Sequence, residues 1–363
     1  MILHLLIDEK FSDYVVEQFS GAEMQSDFVL VSATRQMKYF HNIEKVRVVN
    51  PQNDLEIHQL LIDISNYNSV IFHGFFFQWQ EWIINNWPTG VKIGWVCWGG
   101  EIYAQHDIRD SFLKPLSKFA KKLHWWRHRQ EPWIFPKDLI QRTDYCLTCT
   151  SAEYDYVKNY LSVPIQHLWY TYYSIEETIG SLKECRCKGH NIFIGNSATI
   201  ECNYLETLMQ VRKLSIGNRK IIIPLSYGEP WVRNMCLKWG KLLFGNHFTP
   251  LVNFIPREAY NATMLDCSVM IQPHLREQAH GNIVTGLWLG MRVYLSENGI
   301  DYKHFKDIGC NVFSIERDLQ CGNPNALAPM SDIDVAHNRQ ILLAVYGKEH
   351  VNFEIRNIVK KIA

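Results

Sequence analysis

The polar segment between residues 274 and 286 contains residue types that bind a phosphate group. It follows an apolar run typical of a strand and leads into a helical pattern that begins near Gly281 and Asn282. A helix start offers unpaired N–H groups and the positive end of the helix dipole, and a glycine lets an anion come close. Arg276 adds a guanidinium for a bidentate contact. The pattern favours an anion site over the alternative, a surface loop in which Asn282 caps the helix.

Three strand ends in the second half of the chain carry small or amide residues. They occupy residues 195–197, 224–228 and 272–274. Open parallel sheets bind ligands at the carboxyl ends of their strands, so these loops together favour a ligand site, although each alone is compatible with an ordinary turn. The sequence has neither a G-x-G-x-x-G nor a Walker A motif, and a dinucleotide or P-loop interpretation therefore lacks its motif.

Two loops in the first half offer groups for proton transfer. His73 follows one apolar strand-like run and Glu101 follows the next, so we expect both at the same edge of one sheet. An imidazole and a carboxylate in these positions could exchange protons with a ligand. The structural alternatives are a hydrogen-bonded core histidine and an acidic residue at a helix start.

The segment between residues 114 and 129 combines basic and aromatic residues without an acid. Lys118, Lys121 and Lys122 fall on one helical face, and the apolar residues fall largely on the other. With Trp125 and Trp126, this pattern is typical of a helix that lies on an anionic membrane surface. A helix with a solvated face and a nucleic-acid contact are the alternatives.

The remaining chain alternates short apolar runs with amphipathic segments, which predicts βαβ units and parallel sheets. We expect an α/β protein of two Rossmann-like domains that face a central cleft. The predicted domains are residues 1–175 and 190–337, and a C-terminal helix over 338–363 packs back on the first domain. The predicted strands include residues 251–256.

Composition excludes several classes of protein. The 363 residues are 47% hydrophobic and 20% charged, which excludes a largely disordered chain. Equal numbers of basic and acidic residues, 37 each, exclude a global charge field for nucleic acid. No run reaches the length of a membrane span, and the first residues do not resemble a signal peptide. We therefore expect a cytoplasmic protein with reduced cysteines, and for the pairs at 146/149 and 185/187 we favour free cysteines over a zinc site.

The loops also resemble a known family. The matching segments are HGFF (73–76), WVCWGGEIY (95–103), FIGNS (193–197), IIPLSYG (222–228) and REQAHGNIVTGLWLG (276–290). They resemble the TDP-N-acetylfucosamine:lipid II N-acetylfucosaminyltransferase family, which helps to build enterobacterial common antigen, and related enzymes of O-antigen and other surface polysaccharides. The resemblance spans about residues 68–300, and Glu101 stands where the family usually has Asp.

The resemblance implies a GT-B fold and a metal-independent glycosyltransferase that moves a deoxyamino sugar from a TDP-sugar to a lipid-linked oligosaccharide. It implies Glu101 as the first and His73 as the second candidate for general base, no cofactor besides the nucleotide-sugar donor, and a peripheral position on the cytoplasmic face of the inner membrane. We expect the donor to be bound by Asn196, Ser197, Tyr227, Arg276, Gln278, Gly281, Asn282 and Thr285.

Two other functions remain open from the sequence. One is a nucleotide-sugar epimerase of the same double-Rossmann architecture, which needs no membrane. The other is a non-catalytic protein that binds sugar nucleotides. The D-x-D match at residues 332–334 precedes a helical segment and not a strand end, so we interpret it as a capping feature rather than as a metal motif.

Overall fold

The computed structural model describes residues 1–21, 23–128 and 133–362. The chain forms two compact units. The first unit consists of Met1–Gln105, Pro132–Ser174 and Lys348–Ala363, and the second consists of His106–Glu131 and Ile175–Gly347. These boundaries differ from the predicted ones, because the segment 106–131 belongs to the second unit and the return to the first unit occurs at residue 348.

The described residues form two parallel sheets and the helices that flank them. The strands are β1 (Ile2–Leu6), β2 (Ser26–Val31), β3 (Arg47–Val49), β4 (Ser69–His73), β5 (Lys92–Val96), β6 (Tyr145–Thr148), β7 (Gln166–Trp169), β8 (Asn191–Ile194), β9 (Ile221–Pro224), β10 (Phe248–Leu251), β11 (Cys267–Gln272), β12 (Arg292–Leu295) and β13 (Phe313–Ser314). The α-helices are α1 (Ser12–Phe19), α2 (Asp54–Ile64), α3 (Gln78–Asn85), α4 (Gly100–Tyr103), α5 (Pro115–His128), α6 (Lys137–Ile140), α7 (Ser151–Leu161), α8 (Ile175–Ile179), α9 (Tyr204–Val211), α10 (Pro230–Phe244), α11 (Arg257–Leu265), α12 (His280–Leu289), α13 (Ile300–Asp307), α14 (Asp332–Tyr346) and α15 (Lys348–Ile362).

The first unit contains a seven-stranded parallel sheet in the order β3-β2-β1-β4-β5-β6-β7. Every residue of β1 and β4 is buried, as is typical of a parallel sheet covered on both faces. Helix α15 contributes Val351, Ile355 and Ile358 to the same apolar core as Ile2 and Leu6. The strand order reverses between β1 and β4, and the loops after these two strands therefore flank the switch point of this sheet.

The second unit contains a six-stranded parallel sheet in the order β10-β9-β8-β11-β12-β13. Its strand order reverses between β8 and β11, which pair directly. Helix α5 belongs to this unit because polar contacts hold it there: the hydroxyl of Ser117 donates to Glu206 at 2.7 Å, and the N–H of Lys114 donates to Asn203 at 2.7 Å. Both sheets thus follow the Rossmann pattern that the alternation of elements predicts.

Two elements differ from the prediction. Strand β10 ends at Leu251, where the predicted strand begins, and it includes Pro250. A proline is tolerated there because β10 is an edge strand, and one side of an edge strand needs no ladder N–H. The predicted C-terminal helix is two helices, since the extended backbone of Gly347 (φ −64°, ψ 150°) ends α14 before α15 begins.

Within the described residues, no helix combines the length and the apolar character needed to cross a bilayer.

Candidate functional site

The switch point of the second sheet brings the predicted binding loops together. The loop after β8 contains Asn196 and Ser197, the loop after β9 contains Tyr227, and the segment between β11 and α12 contains Arg276 and Gln278. Strands β9, β8 and β11 are neighbours in the sheet, so their carboxyl-end loops meet at one edge. In open α/β sheets this position is the crevice that receives ligands.

Gln278 connects these loops through hydrogen bonds. Its side-chain nitrogen lies 2.9 Å from Asn196 Oδ1, 3.3 Å from Ser197 Oγ and 3.2 Å from Thr199 Oγ1. Its backbone N–H donates to the carboxyl of Asp301 at 3.2 Å. The residue is 7% exposed, and its side-chain oxygen is buried without a hydrogen-bond partner among the described residues. An acceptor left unpaired in this way can receive a hydroxyl or N–H of a ligand.

Tyr227 adds an exposed aromatic ring to this network. It is 58% exposed, and its hydroxyl accepts a hydrogen bond from Asn196 Nδ2 at 3.3 Å. The next residue, Gly228, has φ +107°, and a Cβ there would lie 2.5 Å from the carbonyl oxygen of Ala198. Glycine is therefore required for the close approach of the loops after β8 and β9, which also fixes the backbone beneath the tyrosine.

Arg276 carries the positive charge of the site. It is half-buried, and its Nη1 donates to the carbonyl of Glu277 at 3.0 Å. Burial raises the pKa of Glu277 to about 7 and the pKa of Asp301 to about 8, while the charge of Arg276 opposes both shifts. Arg276 therefore interacts electrostatically with both of these carboxyl groups.

The start of α12 differs from the predicted cap. The N-cap residue is Ala279, in a left-handed conformation with φ +62°, and it has no side chain that could cap His280 and Gly281. Asn282 is not the cap, since its N–H donates to the carbonyl of Ala279 at 2.8 Å and its side chain donates to Tyr260 at 2.9 Å. A positive φ in a non-glycine residue costs conformational energy and is common at ligand-binding loops.

The predicted donor residues therefore fall into three groups. Hydrogen bonds join Asn196, Ser197, Tyr227 and Gln278 into one network. Arg276, Gly281 and Asn282 lie on the same segment as Gln278. Thr285 lies one turn into α12, where it is buried and its hydroxyl donates to the carbonyl of Gly281 at 2.7 Å. That bond uses the hydroxyl inside the helix, so Thr285 is not a ligand-facing donor.

The first unit holds His73 at the end of β4, beside its own switch point. The residue is 2% exposed, and its two ring nitrogens lie 3.1 Å from His4 Nδ1 and 3.1 Å from the Tyr172 hydroxyl. Burial, with a further contribution from His4, holds the pKa of His73 well below its usual value. The imidazole is thus neutral at physiological pH and fully engaged in hydrogen bonds, which suits a positioning residue better than a base.

Glu101 follows β5 and lies on the short helix α4. It is 2% exposed, and its Oε1 accepts from the indole N–H of Trp95 at 2.7 Å and from the backbone N–H of Trp98 at 3.2 Å. Its Oε2 is buried with no hydrogen-bond partner in the described part of the chain. Burial raises the pKa of Glu101 to about 7, against the lowering effect of these hydrogen bonds. A carboxyl with this pKa exchanges its proton near neutral pH, as a general base requires.

Trp98 and Tyr172 connect the two candidates for base. The indole N–H of Trp98 donates to the hydroxyl of Tyr172, which also contacts His73, and the backbone of Trp98 contacts Glu101. A further buried acid that the sequence pattern does not indicate is Glu153, which is 3% exposed and accepts from the Tyr103 hydroxyl at 2.8 Å. Its sequence signal was the spacing from Thr150, whose hydroxyl accepts from the Glu153 N–H, but that spacing indicates a helix cap rather than a buried acid.

Helix α5 orients its faces differently from the prediction. The packed face includes Lys121, which forms an ion pair with Asp110 at 2.9 Å, and His124, whose ring stacks 4.4 Å from that of Trp231. The outer face carries large apolar side chains instead: Leu116, Phe119, Leu123 and Trp126 are 40%, 67%, 46% and 67% exposed. We call these four residues the α5 stripe. Lys118, Lys122 and Trp125 flank it on one side by helical spacing.

Comparisons with known proteins identify the fold. No protein-family model matches the chain, and no curated protein matches it by sequence. Solved structures do match: sucrose-phosphate synthase from Thermosynechococcus elongatus has a TM-score of 0.60 and 10% identity, over 99% of this chain and 98% of that one. The lipopolysaccharide outer core galactosyltransferase WaaB, in its apo form, has a TM-score of 0.58 and 10% identity, over 99% of both chains.

A third match is HepE from Anabaena in complex with UDP and glucose, with a TM-score of 0.55 and 10% identity, over 99% of this chain and 95% of that one. At these identities the likeness shows the fold and not the substrate. Together with the two parallel Rossmann-like sheets, it shows that the chain has the GT-B fold of glycosyltransferases.

Proposed function

We propose that the protein is a glycosyltransferase that binds a nucleotide-sugar donor at the switch point of its second sheet. The observation that carries this proposal is the network around Gln278, which joins the three carboxyl-end loops beside the exposed ring of Tyr227 and the charge of Arg276. Two of the matching structures support it, since one is a galactosyltransferase and the other is a complex with UDP and glucose.

The proposed chemistry follows from charge. Transfer of a glycosyl group leaves a diphosphate, and negative charge develops on that group in the transition state. Arg276 and the N–H groups at the start of α12 provide positive potential for it without a reorganisation of water. In this mechanism the protein's own groups stabilise the diphosphate, and no metal ion takes part in the transfer.

The other donor contacts have separate roles. The exposed ring of Tyr227 offers a surface on which a base can stack, or a hydroxyl for the ribose. The unpaired oxygen of Gln278 can accept a hydroxyl of the sugar, and the hydrogen bonds from its side-chain nitrogen fix its orientation. Asn196 and Ser197 complete the polar wall of the site.

Glu101 is the proposed base for the acceptor hydroxyl. Its pKa of about 7 suits proton transfer at neutral pH. His73 acts through Tyr172 and Trp98, and we propose that it positions the surroundings of Glu101 rather than accepting the proton itself. To accept the proton of the acceptor hydroxyl, the buried carboxyl of Glu101 would have to become accessible when the substrate binds.

The finer assignment is a donor of the TDP type carrying a deoxyamino sugar, with a lipid-linked saccharide as acceptor in surface polysaccharide synthesis. The resemblance of the loops supports this assignment, and so does the α5 stripe. Exposed aromatic and aliphatic side chains beside Lys118 and Lys122 suit the interface of an anionic membrane. An epimerase would have no use for such a surface, which favours the transferase.

A thermal-shift screen tests the donor. The full chain is heated with TDP-, UDP- and GDP-sugars. A ligand that binds only the native state stabilises it by about 2.7 kcal/mol at a concentration of 100 Kd and thereby raises Tm. We expect TDP-sugars to give the largest shift. A larger shift with another nucleotide would replace the TDP assignment, and no shift with any of them would remove the donor site.

A further inference from the structure

We propose that the second unit contains a binding site for one divalent transition-metal ion, with Zn²⁺ as the best fit, held by Glu277, His280 and Asp301. This proposal does not rest on the proposed function, because it follows from side-chain geometry alone. The ion would hold a loop in place and would not take part in glycosyl transfer.

The first observation is the convergence of three ligand atoms. One carboxylate oxygen from each of Glu277 and Asp301 and a ring nitrogen of His280 lie within 4.8 Å of one another. His280 Nδ1 is 4.0 Å from Glu277 Oε1. In a tetrahedral zinc site with bonds of about 2.0–2.2 Å, ligand atoms are about 3.4 Å apart. Small side-chain rotations would therefore close the three ligands around an ion.

The second observation is that Asp301 and His280 hold buried polar atoms without hydrogen-bond partners. The side chain of Asp301 is 3% exposed, and its Oδ1 has no partner in the part of the chain that the structure describes. The same holds for both ring nitrogens of His280. Buried polar atoms in native structures normally have a partner. A metal ion would satisfy Asp301 Oδ1 and one of the two ring nitrogens of His280.

The third observation is the position of His274. Its side chain is fully buried, and its Nδ1 lies 3.2 Å from Asp301 Oδ2 without forming a well-aligned hydrogen bond. Metal-binding carboxylates are commonly oriented by such a neighbour outside the coordination shell. We assign this role to His274, which contacts Oδ2 of Asp301 and leaves Oδ1 for the ion.

Charge explains the choice of ion. The carboxyl groups of Glu277 and Asp301 lie close together, with Asp301 buried and Glu277 partly buried. A dication would balance two carboxylates. One nitrogen and two oxygens suit Zn²⁺, whereas Ca²⁺ requires six or more oxygens.

The consequence is a fixed loop. Glu277 lies between β11 and α12, His280 is the first residue of α12, and Asp301 lies at the start of α13. The same carboxyl of Asp301 accepts the backbone N–H of Gln278 at 3.2 Å. An ion here would tie the segment 274–280 to α13 and hold the backbone of Gln278 in place.

The test measures metal directly. The full chain is freed of metal with a chelator and titrated with Zn²⁺ alone, and its metal content and Tm are recorded. We expect one Zn²⁺ per chain and a higher Tm. Co²⁺ in place of Zn²⁺ should give no thiolate charge-transfer band, which excludes binding by the chain's 10 cysteines.

Variants locate the ion. Loss of an outer-shell partner typically weakens metal binding about 10- to 100-fold. Asp301→Asn and His280→Phe each remove a ligand and should weaken Zn²⁺ binding by more than that. The phenyl ring preserves the stacking of His280 on Phe305, so that variant keeps its packing. Asp307→Asn, an exposed acid on the same helix, is the matched control and should bind Zn²⁺ normally.

Three results would overturn the proposal. They are a folded wild-type chain that takes up no Zn²⁺, unchanged Zn²⁺ binding in both ligand variants, and a thiolate band with Co²⁺. In the first case the carboxyl groups are neutralised by protons instead. Metal content is measured without nucleotide or acceptor, and the result is therefore separate from any failure of the glycosyltransferase proposal.

Discussion

The switch points of the two sheets share one topology but differ in exposure. In the second sheet, Tyr227 is 58% exposed and Arg276 is half-buried, so charge and an aromatic surface face outward. In the first sheet, His73 and Glu101 are each 2% exposed. The same strand order thus accompanies an exposed aromatic ring and a half-buried arginine in one unit and a buried polar network in the other.

Aromatic packing produces the difference. In the first unit, the ring of Phe11 stacks 5.0 Å from that of Tyr172, and Trp98 meets Tyr172 edge-on at 6.0 Å. These rings remove water from the ends of β4 and β5, and desolvation is the main cause of the raised pKa of Glu101. In the second unit, the loop after β8 instead contains Gly195 and Asn196. Four experiments can break or sharpen this contrast.

Glu101→Gln should have the largest effect on activity. Loss of a general base typically costs about 10²- to 10⁴-fold in rate, and we expect a fall in kcat of that size in a donor-to-acceptor transfer assay. In the wild type, kcat/KM should rise as pH increases through about 7, because the carboxylate is the active form. The variant should lack that rise. Glu44→Gln, an exposed acid of the same unit, is the control, and equal activity of the two variants would exclude Glu101 as base.

The sealed character of the first unit also predicts a pH-dependent stability. The folded-state pKa of Glu101 lies at about 7, above the usual 4.5. Its contribution to stability is therefore fully present below pH 4.5 and is lost as pH rises through about 7. The difference of 2.5 units corresponds to about 3 kcal/mol. Glu101→Gln cannot ionise, so its unfolding free energy relative to wild type should increase from pH 4.5 to pH 8. Parallel curves from urea unfolding would show that the carboxyl is not buried.

The smallest expected effect concerns helix α5. Lys122 flanks the α5 stripe, whereas Lys121 is paired with Asp110 on the packed face. A basic residue near an anionic surface contributes about 1 kcal/mol, so Lys122→Gln should weaken binding to anionic liposomes about fivefold. Lys121→Gln should change it little. If sedimentation with liposomes shows equal losses, or no binding by the wild type, helix α5 does not dock as proposed.

The sequence predicts the fold better than the site. Alternating apolar runs and amphipathic segments identify both sheets, because each parallel strand and each crossover helix has its own local pattern. The loops after β8, β9 and β11 follow from the strand ends. Residues such as Asp301 could not be placed, since its contact with Gln278 joins positions 23 apart through tertiary folding.

Helix α5 shows the same limit. Helical spacing places Lys118, Lys121 and Lys122 together, but it does not say which side of the helix packs on the protein, and Lys121 lies on the packed side. That choice depends on Glu206, which is 89 residues away from Ser117 and binds its hydroxyl. A periodic sequence pattern gives the angle between side chains around the helix axis. Only tertiary contacts decide which side of the helix faces the rest of the unit.

The most direct test of the open site is calorimetric titration of the full chain with TDP and UDP. We predict saturable binding of one nucleotide per chain, weakened about 10- to 100-fold by Arg276→Ala, because a charge-assisted hydrogen bond contributes about 1.5–3 kcal/mol. Arg212→Ala, an exposed arginine of the same unit, should bind as the wild type does. Failure of the folded wild type to bind either nucleotide, or equal affinity in the Arg276 variant, would contradict the account.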